Sequence, residues 1–545
     1  MDGLMMDFQL TLPAILRRAE SLYGVKEIVT RLPDKSFHRY TYADFVRRAK
    51  QLALALQRLG VQPGDRVATF SWNHHQHLEA YFGIPLAGGV LHTLNLRLHP
   101  DDLTYIVGHA EDKVLLVDRG LLPLFEKFRE RVNLEHVVVI SDDGAAPAGL
   151  LSYEALLADE DPTGFEYPDF NEQQAAAMCY TSGTTGRPKG VLYSHRAIAL
   201  HSLASAMADS LALQESDVVL PVVPMFHANA WGMPFTATLV GAKQVLPGPH
   251  LDPVSLLEEY QSEKVTFTAG VPTIWLGMLQ VLDKNPGAYD LSALRSLVVG
   301  GAAAPKSMIE GFEQRHGLKV IHAWGMTETT PLGTVANLLS DLQDTPDATR
   351  YAYRAKQGLP VPFVEIRARG GDGLIPWDGR TMGELEVRGP WVAGAYYKNT
   401  EATDRFTEDG WFRTGDVVTI DPRGYVEIQD RTKDLIKSGG EWISSVALEN
   451  ALMGHPAVAE AAVIAIPHPT WQERPLGVVV LKEGQSATRE ELLVYLSERF
   501  AKWWLPDAIE FVPEIPRTAA GKFLKSALRE RFHGYQPPTP GREVG

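Results

Sequence analysis

Short apolar runs rich in β-branched residues alternate with segments of helical periodicity through most of this chain. Examples of the runs are GDRVATF (64–70), KVLLVD (113–118) and LRSLVVGG (294–301). Strands separated by helices are typical of parallel βαβ units, because a parallel connection must cross the sheet before the next strand can begin. We therefore predict an α/β protein built on parallel sheets.

The pattern changes between residues 358 and 428. Segments such as VEIRARG (364–370) and GELEVRGP (383–390) alternate apolar and polar residues between turn signals, which predicts antiparallel strands. A second α/β alternation begins after DRTKDLI (430–436). Because 545 residues are too many for a single core, we place a domain boundary in this charged segment.

Composition and charge exclude several classes of protein. The chain has 52 basic and 67 acidic residues and a net charge of −15, so we expect no nucleic-acid partner, although a local basic cleft stays compatible with this balance. The single cysteine, Cys179, cannot form an internal disulfide and fits a reducing compartment. Asp2 and Asp7 stand where a signal peptide has Lys or Arg, and no apolar run approaches the roughly 18 residues of a membrane span. We predict a cytoplasmic protein without a transmembrane segment.

The segment YTSGTTGRPKG (180–190) combines glycines, hydroxyl residues and a lysine. Residues Ala176–Tyr180 before the loop predict a short buried strand, so the loop would lie at the carboxyl end of that strand, where open α/β sheets bind ligands. Glycines let backbone N–H groups approach an anion, hydroxyls add donors, and Lys189 adds a positive charge. The spacing differs from the Walker A motif, and we predict a phosphate-binding loop of another type.

The same segment matches the pattern [ST]-[ST]-G-[ST]-T-G-x-P-K-G, and further motifs follow it in order. They are WGMTETT (324–330), WFRTGD (411–416), DRTKDLIKSGGEWIS (430–444) and PRTAAGK (516–522). On these motifs the chain resembles the adenylate-forming superfamily of acyl-CoA synthetases, luciferases and peptide-synthetase adenylation domains, from about residue 40 to residue 531. Within it, PMFHANAWG (224–232) and LIKSGGEWISS (435–445) look like bacterial long-chain fatty acid–CoA ligases.

The resemblance implies a particular division of the chain. A large N-terminal AMP-binding domain, residues 1–429, would contain two α/β sheets and a β-rich part. A small, mobile α+β C-terminal domain, residues 436–533, would follow a linker at 430–435, in which Lys433 is the hinge. We expect the proline-rich residues 534–545 to form a flexible tail.

The resemblance also assigns a nucleotide site residue by residue. The β- and γ-phosphates of ATP would be covered by Thr181, Ser182, Gly183, Thr184, Thr185, Gly186 and Lys189. The adenine would lie between two segments, namely Gly301, Ala302 and Ala303 on one side and Trp324, Gly325 and Met326 on the other. The other residues implied to bind the nucleotide are Thr327, Glu328, Asp416, Arg431, Lys437 and Trp442.

Three of these positions have more specific implied roles. Asp416 would accept hydrogen bonds from the ribose hydroxyls, and Arg431 would contact ribose or phosphate. The family usually has tyrosine at position 324, so Trp324 keeps the stacking surface but loses the phenol hydrogen bond. We therefore expect stacking from Trp324, and a polar role for it is left open.

The implied catalytic residues are Lys522, Thr184, Glu328 and His227. An ammonium at Lys522 that bridges the substrate carboxylate and the α-phosphate would neutralise the transition state. Thr184 and Glu328 would hold Mg²⁺, since a hydroxyl and a carboxylate suit an octahedral ion whose shell is completed by water. His227 resembles the family histidine beside the reacting carboxyl group.

Three further residues concern the acyl and CoA tunnels. Trp231 resembles the gate at the mouth of an acyl tunnel, and simple core packing is the alternative. Gly439 and Gly440 would line the pantetheine tunnel after rotation of the C-terminal domain, because glycines leave room for a thin chain. No Asp or Lys in PMFHANAWGMPF (224–235) could meet an amino-acid amine, which favours a fatty acid, long chain over medium.

The resemblance therefore implies an ATP-dependent fatty acyl-CoA ligase with ATP, Mg²⁺ and coenzyme A as its cofactors and co-substrates. Its expected partners are the fatty acid and a second copy of the chain in a homodimer, and peripheral membrane contact is left open. Within the family the alternatives are a ligase for medium-chain or aryl acids and transfer of the acyl group to a carrier protein. The non-enzymatic alternative is a nucleotide- or acyl-binding module.

Overall fold

The predicted alternation of strands and helices is present in the structure. The computed structural model describes residues 1, 3–181, 187–399, 402–438, 441–517 and 523–537. In chain order, the strands β1 to β26 of these residues are Glu27–Arg31, Phe37–Thr41, Arg66–Phe70, Val90–Thr93, Asp112–Asp118, His136–Ile140, Leu151–Ser152, Ala175–Tyr180, Gly190–Ser194, Val218–Pro221, Lys243–Leu246, Phe267–Gly270, Ser296–Val299, Val320–Gly325, Leu332–Val335, Leu359–Pro360, Glu365–Gly370, Gly373–Leu374, Gly383–Arg388, Phe412–Ile420, Val426–Arg431, Ile436–Ser438, Glu441–Ile443, Val458–His468, Gln472–Leu481 and Ala508–Phe511.

The α-helices of the described residues contain between 4 and 17 residues. In chain order, α1 to α16 are Leu12–Tyr23, Tyr42–Arg58, His75–Leu86, Pro100–Ala110, Leu122–Phe125, Tyr153–Ala158, His195–Ala206, Ala228–Trp231, Met233–Val240, Pro253–Glu263, Pro272–Lys284, Lys306–His316, Asp347–Ala355, Ser445–Met453, Arg489–Ser497 and Lys525–Arg531. Among them, none is both long enough and apolar enough to cross a membrane.

Two mostly parallel sheets dominate the N-terminal part of the chain. One has seven strands in the order β7-β6-β5-β3-β4-β8-β9, and the other has nine in the order β16-β15-β14-β13-β12-β10-β11-β1-β2. The central pairs are parallel, whereas the outer pairs β8–β9, β1–β2, β14–β15 and β15–β16 are antiparallel. The prediction of an α/β fold with two such sheets is confirmed.

An antiparallel sheet follows, as the alternating segments after residue 358 predicted. Its five strands have the order β18-β17-β19-β20-β21, and every neighbouring pair is antiparallel. Strand β21 ends at Arg431 and so continues into the segment 430–435 that we predicted as the linker. The domain boundaries therefore stay a prediction.

The C-terminal part is α+β. Strands β24 and β25 form a long antiparallel hairpin, β22 and β26 flank β25, and β23 pairs with β22. Helices α14 and α15 cover one face with an apolar cluster that includes Leu448, Leu452, Leu492 and Leu496, all fully buried. Strands β24 and β25 are consecutive and antiparallel, whereas β25 and β26 are parallel and joined through α15, so this part is the α+β domain that we predicted.

Glu259 makes the stability of the fold depend on pH. It lies on α10, is completely buried, and neither carboxylate oxygen has a hydrogen-bond partner among the described residues. Burial raises the pKa of Glu259 to about 8. A raised pKa means that the folded state binds the proton more tightly than the unfolded chain, so this stabilisation is complete below pH 4.5 and is lost as pH rises through 8.

We therefore expect Glu259→Gln to be increasingly more stable than the unsubstituted protein as pH rises from 5 to 9. The difference should reach on the order of 4 kcal/mol, because each unit of pKa shift corresponds to about 1.4 kcal/mol. Thermal unfolding at pH 5, 7 and 9 measures it. Glu483→Gln, at a glutamate whose side chain is 93% exposed, is the control and should show no such trend. Parallel pH profiles for Glu259→Gln and the unsubstituted protein would contradict this assignment.

Candidate active site

A pocket lies at the carboxyl ends of β13 and β14, beside the β8–β9 hairpin. Strand β13 ends at Val299, directly before Gly300 and Gly301, and β14 ends at Gly325. This is where open α/β sheets bind ligands. The described residues that line the pocket are Thr181, Arg187, Lys189, Leu211, His227, Ala228, Trp231, Val298, Gly300, Gly301, Ala323, Trp324, Gly325, Met326, Thr327, Glu328, Pro331, Leu332, Tyr396, Arg405, Thr414 and Arg431.

Positive charge is concentrated in this pocket although the whole chain is acidic. The cations among its described lining residues are Arg187, Lys189, Arg405 and Arg431. Glu328 is the one carboxylate in the same set. A cleft with this balance attracts a ligand that carries several negative charges. The pocket is therefore a local basic cleft of the kind that remained compatible with the negative net charge of the chain.

The base of the predicted phosphate loop is closed by two hydrogen bonds. The N–H of Thr181 donates to the carbonyl oxygen of Lys189 over 2.9 Å, and the N–H of Lys189 donates to Oγ1 of Thr181 over 3.1 Å. Nζ of Lys189 lies 4.8 Å from the centroid of the Tyr396 ring. The loop residues that we predicted to cover the phosphates, and that lie outside the described residues, are Ser182, Gly183, Thr184, Thr185 and Gly186.

Glu328 is held at the wall of the pocket. It lies on a 3₁₀ turn directly after β14, its side chain is largely buried, and Oη of Tyr396 donates to its Oε1 over 2.7 Å. Within the described ranges no three His, Cys, Asp or Glu side chains gather around a possible metal position. A single fixed carboxylate nevertheless suits Mg²⁺, which usually binds one or two carboxylates and completes its shell with phosphate oxygens and water.

Trp324 makes a polar contact that the sequence left open. Its indole Nε1–H donates to Oδ2 of Asp416 over 2.9 Å, and both side chains are buried. Nε of Arg431 lies 2.6 Å from the other oxygen, Oδ1. Trp324 and Arg431 line the pocket, so Asp416 lies directly behind its wall. The indole therefore supplies a hydrogen-bond donor at a position where the family usually has a phenol.

His227 and Trp231 line the pocket at the two ends of an unusual turn. The φ angles of residues 228–231 are 42°, 52°, 50° and 55°, in the left-handed region that residues with a side chain rarely adopt. The Trp231 ring is half-buried and packs against Gly300, where an added Cβ would lie 3.0 Å from its Cη2. The strained turn thus presents Trp231 to the pocket from the edge of the core.

Other predicted site residues do not line the pocket or lie outside the described residues. Lys437 and Trp442 face each other across the β22–β23 hairpin, with the ammonium 4.9 Å from the ring centroid. Neither they nor Ala302, Ala303 and Lys433 are among the described lining residues. The predicted residues that lie outside the described ranges are Gly439, Gly440 and Lys522.

Two family models match the two parts of this chain. The model described as AMP-binding enzyme matches residues 17–397, and the model described as AMP-binding enzyme C-terminal domain matches residues 447–522. The chain belongs to the AMP-binding enzymes. The first match contains the phosphate loop, Glu328 and Trp324, and so covers most of the pocket.

Similarity to individual proteins extends over nearly the whole length. A long-chain-fatty-acid–CoA ligase of Thermus thermophilus is 55% identical over 97% of this chain and 97% of that protein. A medium-chain-fatty-acid–CoA ligase of Ectopseudomonas oleovorans is 44% identical over 98% of each chain. A crystal structure of an anthranilate CoA ligase in complex with anthranoyl-AMP superimposes with a TM-score of 0.85 at 28% identity, over 96% of this chain and 98% of that one.

The pocket of this AMP-binding enzyme contains residues that the motifs did not indicate. Arg187 stands at the variable position of the loop motif, and Tyr396 and Arg405 lie between the motifs 324–330 and 411–416. Nη1 of Arg405 would lie 2.9 Å from a Cβ added at Gly415, a residue with a φ of 76°. The glycine of the motif WFRTGD therefore leaves room for this arginine. That glycine is the one feature of the sequence that could have indicated a side chain packed at this position.

Proposed function

We propose that this AMP-binding enzyme is an ATP-dependent fatty acyl-CoA ligase that acts on long-chain acids. The observation that carries the proposal is that one pocket combines four cations with uncharged walls, which suits phosphates and an acyl chain respectively. The apolar side chains that we assign to the acyl chain are Leu211, Ala228, Trp231, Val298, Ala323, Pro331 and Leu332. The full-length similarity to fatty-acid–CoA ligases supports the same function.

In the first step a carboxylate oxygen of the acid attacks the α-phosphorus of ATP. A P–O bond to the acid forms, the bond to the β-phosphate oxygen breaks, and pyrophosphate leaves. Because two anions must approach each other, hydrogen-bond donors and cations that are already in place contribute most to stabilising the transition state. We assign Arg187, Lys189 and Arg405 to the phosphates and Asp416 to the ribose hydroxyls. We assign Lys522 to the α-phosphate and the attacking carboxylate.

Glu328 and Thr184 are the residues that we expect to hold Mg²⁺. The fixed, largely buried carboxylate of Glu328 fits a hard cation that prefers oxygen ligands. When bound, the ion supplies charge neutralisation at the phosphate oxygens. Tyr396 keeps the Glu328 side chain oriented, and Lys189 approaches the same ring from the loop.

In the second step the thiolate of coenzyme A attacks the acyl carbon of the adenylate. A C–S bond forms, the C–O bond to the phosphate breaks, and AMP leaves. By the family resemblance we assign rotation about Lys433, in the proposed linker 430–435, to the change between the two steps. Gly439 and Gly440 would then line the pantetheine passage.

We further propose a cytoplasmic homodimer. The apolar side chains of Leu4, Met5, Met6 and Phe8 are between 60% and 93% exposed, which supports a partner contact at the N-terminal segment. Light scattering of the full chain and of a variant without residues 1–8 tests the dimer. A monomeric full chain would contradict it.

Trp231→Ala should weaken discrimination by chain length. Because the indole narrows the uncharged part of the pocket against Gly300, its removal opens space for acids of other lengths. We expect the ratio of kcat/KM between the best acid and one four carbons shorter to fall about tenfold, the order of energy that hydrophobic pockets supply. Trp377→Ala, which removes an exposed indole outside the pocket, is the control. If the kcat/KM ratio of folded Trp231→Ala were unchanged, Trp231 would contribute only to packing.

Pyrophosphate release tests the proposed substrate class. Saturated acids from four to eighteen carbons, and benzoate, are supplied with ATP and Mg²⁺, with and without coenzyme A. We expect release to be greatest with long chains and the product to become a thioester when coenzyme A is present. Preference for short or aryl acids would contradict the substrate, and acceptance of the acyl group by a carrier protein alone would contradict the second step. No release with any acid would favour a binding module.

A further inference from the structure

The buried carboxylate of Asp416 is held asymmetrically. Its Oδ2 accepts the indole N–H of Trp324 over 2.9 Å. Its Oδ1 lies 2.6 Å from Nε of Arg431, yet the two are not aligned for a hydrogen bond, and Oδ1 has no hydrogen-bond partner among the described residues. The charge of Arg431 compensates this oxygen, but no N–H or O–H of the described residues donates to it, so it keeps the capacity to accept a hydrogen bond from a ligand.

The indole of Trp324 has little freedom to move. It lies on β14 and pairs with Thr334 of the neighbouring strand, so the adjacent Gly333 faces the ring. A Cβ added at Gly333 would overlap Cζ3 and Cε3 of Trp324. The large ring therefore depends on the absence of a side chain at Gly333, and the strand backbone packs directly against it.

Asp416 is equally fixed on its own strand. It lies in β20, where its N–H donates to Oγ1 of Thr414 over 3.1 Å, and Thr414 in turn donates to the carbonyl oxygen of Leu385 over 2.9 Å. The bond between Trp324 and Asp416 thus joins two rigid sheets, the nine-stranded one and the antiparallel one. It fixes the plane of the carboxylate next to the pocket wall.

We propose that Trp324 is a positioning residue that orients Asp416 to recognise a ribose hydroxyl, so that the enzyme discriminates ATP from deoxyribonucleotides. The inference rests on the proposed nucleotide site and adds to it a residue whose N–H determines ribose selectivity. Without the indole N–H the carboxylate is held by Arg431 alone and can turn about its Cβ–Cγ bond, so its hydrogen bond to the ribose weakens. A hydrogen bond to a charged group is worth enough to change affinity by about tenfold.

Trp324→Phe tests the proposal because it keeps an aromatic ring and removes the N–H. We would measure kcat and KM for ATP, 2′-deoxy-ATP and 3′-deoxy-ATP. For ATP, we expect KM to rise about tenfold while kcat changes less than threefold. For the analogue that lacks the hydroxyl bound by Asp416, we expect KM to change less than threefold. Equal losses with all three nucleotides would overturn the proposal, because a ring that only stacks does not distinguish them.

The coupling to Asp416 is tested separately. In the Asp416→Ala background, Trp324→Phe should change kcat/KM for ATP less than twofold, since its effect passes through the missing carboxylate. A full tenfold loss in that background would overturn the proposal. Trp275→Phe removes a different buried indole N–H, which donates to the carbonyl oxygen of Val298, and should leave the nucleotide ratios unchanged.

Two measurements keep the outcome interpretable. If Trp324→Phe does not fold, Gly333→Ala takes its place, because it displaces the indole without touching Asp416, and it must lose the same discrimination. Calorimetric affinities for ATP and the two deoxy analogues need no turnover. They therefore separate two failures. Equal affinity of the enzyme for all three nucleotides would overturn this inference. Selective binding of ATP without any acid-dependent pyrophosphate release would instead overturn the proposed ligase.

Discussion

Replacing Lys522 by alanine should lower the rate of acyl-adenylate formation by a factor of about 10²–10³, the usual effect of losing one fixed donor to a developing charge. Thioester formation from supplied acyl-AMP should continue at nearly the normal rate, because that step needs the thiolate and not this ammonium. Pyrophosphate release measures the first step, and coenzyme A consumption with synthetic acyl-AMP measures the second.

The described residues on either side of Lys522 make defined contacts. Arg517 and Phe523 pair as an isolated antiparallel bridge, and the N–H of Leu524 donates to the carbonyl oxygen of Pro516 over 2.7 Å. Directly after it, Nζ of Lys525 lies 2.7 Å from Oε1 of the buried Glu449. Residues 518–522 lie outside the described residues.

Lys482→Ala removes an exposed lysine from the same C-terminal part and is the matched control, expected to leave both steps unchanged. If folded Lys522→Ala lost both steps equally, the claim that Lys522 acts only in acyl-adenylate formation would be wrong. If it lost neither, Lys522 would not be the catalytic lysine.

Arg48→Met should destabilise the N-terminal part by about 3 kcal/mol, the lower end of the cost of breaking a buried ion pair from one side. Nε of Arg48 on α2 lies 2.7 Å from Oε1 of Glu79 on α3, a residue that is completely buried. Oη of Tyr153 donates to the other oxygen of Glu79 over 2.7 Å, and the same arginine contacts Glu154. Without the guanidinium, Glu79 is left as an uncompensated buried acid.

Denaturant or thermal unfolding compares three variants. The double variant Arg48→Met/Glu79→Gln should recover more than half of the loss, because the buried charge is gone and Tyr153 keeps a carbonyl acceptor. Arg119→Met breaks an exposed pair with Asp143, in which both side chains are more than half exposed, and should cost less than about 1 kcal/mol. Equal losses for Arg48→Met and Arg119→Met would contradict this account of the α2–α3 contact.

The sequence predicted the elements because their signals are local. The run 113–118 became β5, the periodic segment 78–86 became most of α3, and the alternating segments after residue 358 became the antiparallel sheet. The loop motif and Glu328 were found because their residue types are needed at fixed spacing, and both border the pocket. In each case the residues that determine the element or motif lie within a few positions of one another along the chain.

The contacts that the sequence could not predict join distant segments. Trp324 and Asp416 are 92 residues apart, and only the packing of two sheets brings them together. Arg405 reaches the pocket because Gly415 has no side chain. The left-handed turn at residues 228–231 contains no glycine, so its strain has no local signal and depends on the packing around it.

The central claim is that the acid attacks the α-phosphorus of ATP, and oxygen transfer tests it directly. A long-chain acid labelled with ¹⁸O in both carboxylate oxygens is converted with unlabelled ATP and coenzyme A, and the AMP is analysed by mass spectrometry. The account predicts one ¹⁸O atom in each AMP and one in the thioester, because the bridging oxygen stays with phosphorus when the thiolate displaces AMP. AMP without the label, or formation of ADP with the label in phosphate, would contradict it.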